Sequence, residues 1–66
     1  MTQRDFERAL GDRIMVIHQV EPGRTVTQTG RLMHVDEQVL LLEVRAGERV
    51  RIPRASVQVS KRVITL

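Results

Sequence analysis

The sequence predicts a mainly β fold: a short N-terminal helix followed by a five-stranded, strongly bent antiparallel barrel. Three observations carry this reading. Apolar residues follow a helical period only before Gly11 and a period of two after it. Turn signals then recur at a spacing of roughly 8–12 residues, the rhythm of small all-β folds. Gly30 interrupts a long β-branched run, and an interior strand glycine marks a bulge or the sharp bend a small barrel needs at its corners.

The helix is read over residues 2–10. Thr2 with Asp5 three positions on forms a capping box, Phe6, Ala9 and Leu10 fall on one face, and Gly11 is a natural stop. So short a helix must dock that face on something to persist. Residues 13–60 are read as the barrel. Ile14, Val16 and Val20 alternate with Met15 and Ile17 in a first strand, and Glu21-Pro22-Gly23-Arg24 is a hairpin turn. Thr25 to Val35 is the second strand and Asp36-Glu37-Gln38 the next turn. Val39-Leu40-Leu41-Leu42 opens the third strand, too continuously apolar for one buried face, and predicts a sheet that continues into a neighbouring molecule. Ala46-Gly47-Glu48 turns again, Arg49-Val50-Arg51-Ile52 alternates cleanly, and Pro53-Arg54-Ala55-Ser56 suits a single tight helical turn. Val57-Gln58-Val59 begins the last strand, and residues 61–66 are read as a C-terminal tail made apolar by Val63, Ile64 and Leu66.

Length and composition narrow the function classes. A 66-residue chain forms one small domain that buries only about 60% of its unfolded surface. Cys is absent, which excludes disulfide staples and thiolate metal sites, so the expected staple is another copy of the same chain. Lys and Arg number 11 against 8 Asp and Glu, a net charge of +3, and ten of the cations are Arg, the side chain suited to bidentate phosphate contacts. No apolar run approaches the roughly 20 residues of a membrane span. The N-terminus is polar, and a cytoplasmic protein that binds no membrane is expected.

The chain resembles the Sm-like family, and within it the bacterial Hfq-type proteins, as a divergent member. Gln3-x-x-Phe6-x-x-Ala9-Leu10 is similar to the start of the Hfq-type helix. Gly30-x-Leu32-x-x-x-Asp36, continued by Val39-Leu40-Leu41-Leu42, resembles the first Sm motif, and Arg51-Ile52-Pro53-Arg54-Ala55 sits where the second falls. The resemblance implies an Sm/SH3-like barrel that assembles into hexameric or heptameric rings by strand pairing and binds single-stranded, uridine-rich RNA around the pore. It places Gln3 on the family's helix glutamine. Gln38 stands where the family has a base-stacking aromatic, Pro53-Arg54 where it has a Lys-His pair, and Gln19 where the opposite face has an aromatic.

The candidate RNA-binding residues follow. Gln3, Gln38 and Arg54 form the base pocket that the resemblance implies. Arg49 and Arg51 share one face of a strand and, with Arg54 and nearby Arg45, form a basic stripe for phosphates. Lys61 and Arg62 add cations in the tail. The plain reading of these charges is a solvated edge that prevents wrong pairing. His18 and His34 can fall on neighbouring strands but lack a third ligand, so half-exposed histidines are expected rather than a metal site. Asp36 is read as a turn carboxylate that accepts backbone N–H bonds. Neither a nucleophile–base spacing nor a glycine-rich phosphate loop is present, so neither enzymatic activity nor a cofactor is expected. The sequence thus supports an Sm-like RNA-binding ring acting as an RNA chaperone or post-transcriptional regulator. The alternative is an SH3-like barrel serving as a protein-interaction or structural module without nucleic acid, with the Val39–Leu42 run receiving a partner's strand.

Overall fold

A computed structural model describes residues 2–63. Helix α1 (Gln3–Arg8) begins at the expected capping box. Thr2 Oγ1 accepts from the Asp5 amide at 3.2 Å, and Asp5 Oδ2 accepts from the Thr2 amide at 3.1 Å. Ala9 closes the helix, so Leu10 lies past the last helical turn and points outward at 45% exposure instead of joining the Phe6 face. Gly11 follows with a left-handed φ of 85°.

Five strands form one antiparallel sheet: β1 (Arg13–Glu21), β2 (Arg24–Val35), β3 (Val39–Arg45), β4 (Glu48–Pro53) and β5 (Val57–Arg62). A 3₁₀ turn, η1 (Arg54–Ser56), joins β4 to β5 where the tight helical turn was expected. The spatial order is β4-β3-β2-β1-β5, so the sheet is bent but not closed, and β4 and β5 keep one unpaired edge each among the described residues. The β5 strand runs through Arg62, which puts Lys61 and Arg62 in the sheet rather than in a tail. Of the apolar tail, Val63 is exposed and Ile64 and Leu66 lie outside the described residues.

The bend has a local cause. Register shifts interrupt β1 at Gln19/Glu21, β2 at Leu32/His34 and β3 at Glu43/Arg45, and each shift adds twist. At Gly30 the backbone of β3 comes so close that a Cβ there would stand 2.6 Å from the Glu43 carbonyl oxygen. The curved sheet and α1 enclose a core of Phe6, Ala9, Ile14, Val16, Leu32, Leu40, Leu42 and Ile52. The Val39–Leu42 run has a different explanation from the one its sequence invites. The β3 strand is interior, paired with β2 on one side and β4 on the other, and cannot receive another chain's strand. Its run is apolar because Leu40 and Leu42 enter the core while Val39 and Leu41 are half-buried on the outer face.

Candidate nucleic-acid interface

Three separate elements converge on one guanidinium. Pro53, with φ −61°, leads into η1, and the Arg54 amide donates to the Gln38 carbonyl at 2.8 Å. Ser56 Oγ donates back to the Pro53 carbonyl at 2.7 Å and holds the turn. From this anchor the Arg54 side chain reaches two further elements through Nη1, donating to Gln3 Oε1 on α1 and to the Asp36 carbonyl at 2.9 Å. Its Cζ lies 4.9 Å from the centroid of the Phe6 ring, a cation–π contact that also covers the ring.

The loop that presents Gln38 is built on Asp36. One carboxylate oxygen accepts the amides of Gln38 and Val39 at 2.7 and 2.8 Å, the Asx-turn arrangement expected from sequence. The other pairs with His34 Nε2 at 3.0 Å. The His34 bond first, and then the two amides, lower the Asp36 pKa to about 2. The turn is therefore held by a carboxylate that stays ionised.

Gln3, Gln38 and Arg54, expected together, do meet. Gln3 uses both ends of its amide within the chain, since Nε2 donates to Glu7 Oε1 at 3.2 Å while Oε1 accepts from Arg54. Gln38 contributes backbone to the cluster and leaves its side chain exposed. Arg54 commits Nη1, its Nη2 and Nε have no hydrogen-bond partner among the described residues, and a cavity of about 340 Å³ bordered by Phe6, Arg54, Val57 and Ser60 opens beside it. Arg51 joins the far side of the Asp36 loop, where it borders a shallow depression of about 240 Å³ with His34, Asp36 and Leu41.

The other candidates lie elsewhere. Arg49 shares the outer face of β4 with Arg51 but turns to Glu43, at 3.6 Å. Lys61 and Arg62 sit on β5, at the opposite edge of the sheet from β4, and as strand neighbours they face opposite sides. Arg62 is engaged with Asp12 at 3.4 Å and with the Arg8 carbonyl at 2.9 Å. Arg45 forms a loose hairpin pair with Glu48 at 3.9 Å.

The two histidines are apart. His18 is opposite Val26 on β2, whereas His34 is opposite Leu41 on β3. His18 is also not half-exposed. It lies 6% exposed on the core side of β1, with no hydrogen-bond partner for Nε2 among the described residues. No group of three or more metal-ligating side chains comes together among the described residues. Sequence reasoning did not single out Arg13 and Arg31, which the register places directly across from each other on β1 and β2. Counting back from the Pro22-Gly23 turn finds them only once the register shift at Gln19/Glu21 is included, since straight counting would set Arg13 against Leu32.

Comparison with protein-family models, with curated proteins and with solved structures yields no match.

Proposed function

We propose that this chain is an Sm-like ring subunit that binds single-stranded RNA in the cytoplasm, as an RNA chaperone or post-transcriptional regulator. The observation that carries the reading is the state of Arg54. It is held by α1, by the Asp36–Gln38 loop and by η1 through Nη1 and its own amide, while Nη2 and Nε have no hydrogen-bond partner among the described residues. A preorganised cation with spare donors is what recognition of a phosphate or a base edge requires. The unpaired edges of β4 and β5 support assembly. Pairing β4 of one copy with β5 of the next is a heterologous contact, which repeats around a closed hexameric or heptameric ring and sets one Arg54 per subunit about its axis.

Phe6, the chain's only Phe, Tyr or Trp, is 3% exposed and already covered by Arg54, so it offers the bases no stacking platform. Affinity then rests on phosphate contacts and falls steeply with salt. The test is fluorescence anisotropy of a labelled oligouridylate across a salt series. Arg54→Ala weakens binding and lowers the slope of log K against log salt by about one. An unchanged slope removes Arg54 from the RNA interface. Partners retained after nuclease treatment, with no RNA affinity, would move the function to the protein-interaction alternative.

A further inference from the structure

Strand register assembles a second charged site that is scattered in the sequence. Arg13 lies across from Arg31, Arg31 across from Glu43, and Glu43 across from Arg49. Directly paired residues of an antiparallel sheet share a face. The four side chains therefore form one row over four strands, on the face away from the core, since their neighbours Ile14, Leu32 and Leu42 are fully buried. Within the row Glu43 is already held by Arg49 at 3.6 Å. Arg13 and Arg31 are left facing each other, with no ion pair for either among the described residues.

Like charges directly opposite one another destabilise a sheet. Both positions are exposed and a neutral side chain would serve the fold equally well, so the pair points to something outside the fold. The backbone beside it is shaped accordingly. The β2–β3 register ends at Arg31 and Glu43, where Gly30, having no side chain, lets the β3 backbone come close, and a cleft of about 260 Å³ bordered by Arg13, Gly30, Arg31, Glu43, Val44 and Arg45 lies there. Among the described residues Arg45 pairs with Glu48 alone, at 3.9 Å with side chains 84% and 62% exposed, so it can turn inward at little cost.

We propose that this cleft binds a phosphate-bearing anion between Arg13 and Arg31, with Arg45 closing its outer side. The guanidinium fork matches two phosphate oxygens, and an anion between the two arginines replaces their repulsion with two attractions. The site is independent of Arg54. The Arg54 cluster gathers at the start of β3 and the cleft lies at its end, about 20 Å away at roughly 3.3 Å per residue.

The anion is either a free phosphate compound or a phosphate of a nucleic-acid backbone, and one experiment separates them. The Nε–H resonances of the arginines are followed by NMR while the full chain is titrated with inorganic pyrophosphate and, separately, with a short oligoribonucleotide. Saturable shifts of Arg13 and Arg31 are expected. Saturation with pyrophosphate alone assigns a free phosphate ligand, and saturation with the oligonucleotide alone assigns the backbone. Arg31→Gln, with Arg13→Gln as the companion variant, lowers the affinity about tenfold, as loss of one charge-assisted contact does. Either variant also raises Tm in phosphate-free buffer, because the repulsion is relieved. Arg54→Ala leaves these shifts in place even if it abolishes oligouridylate binding, so the two sites fail separately. Unsaturable drift matching that caused by chloride, or wild-type affinity in both glutamine variants, would overturn the proposal.

Discussion

Arg54 donates a hydrogen bond to Gln3 across 51 residues of chain, and the same guanidinium nitrogen bonds the carbonyl of Asp36. The contact sets the helix, whose own hydrogen bonds are too few to hold it, against the turn that follows β4. Positioning and stability therefore meet in one side chain. Arg54→Ala removes two hydrogen bonds and the cover of Phe6, and is expected to cost about 2 kcal/mol in denaturant unfolding. Gln3→Ala costs less, and the double variant is less destabilised than the sum, with a coupling of about 1 kcal/mol. Strict additivity would mean that the pair does not interact in solution.

The Asp36 turn carries a pH signature. Its carboxyl is lowered from 3.8 to about 2, with the His34 bond the largest cause. A carboxylate whose folded pKa lies below its unfolded value adds stability that is complete above the unfolded pKa and lost as pH falls through the folded one. The turn is thus expected to hold at neutral pH and to loosen as pH falls from about 4 toward 2. A carbon-detected NMR titration of the Asp36 carboxyl should give a midpoint near 2, and His34→Ala should move it up toward the ordinary aspartate range. A midpoint unmoved by that substitution would leave the lowering to the Gln38 and Val39 amides alone.

Gly30 is required by distance rather than by dihedral angle. Its φ is not positive, but a Cβ would meet the Glu43 carbonyl oxygen at 2.6 Å, and that atom is backbone in a paired strand. Gly30→Ala is expected to destabilise by about 1–3 kcal/mol, as overpacking at a site that cannot yield does. Thermal unfolding by circular dichroism reads this directly, and an unchanged Tm would mean that the two strands part more easily here than the structure implies.

Leu42 is fully buried in the centre of β3. Truncation to Ala is expected to cost about 2–5 kcal/mol, a large share of what so small a domain holds. Leu41→Ala, one position along on the outer face, should cost much less. Equal losses at both positions would mean that the outer face of β3 is covered in solution, which is a signature of assembly.

Much of the fold is legible because its signals are local. The Thr2–Asp5 box, Gly11, the Pro22-Gly23 turn, the Asp36 Asx turn and the η1 turn after Pro53 each rest on residues within four positions of one another. Strand order is different in kind. Whether Val39–Leu42 lies at an edge or in the interior depends on which strands flank it, and a continuous apolar run is compatible with both. Leu10 illustrates the same limit, because a single residue past the helix end reverses the direction of its side chain. At the candidate site, resemblance supplied Gln3, Gln38 and Arg54 as a set. That Arg54 stacks on Phe6 and binds Gln3, and that Arg13 faces Arg31, follows only from how distant strands come into register.

The proposed RNA-carrying ring is tested by native mass from light scattering during size-exclusion chromatography, with absorbance at 260 nm followed on the same peak. The chain has no Trp or Tyr, so strong absorbance there reports bound nucleic acid. A ring gives six or seven times the 7.6 kDa of one chain, with an absorbing peak that ribonuclease removes. A monomer of 7.6 kDa that neither assembles nor carries nucleic acid would contradict it.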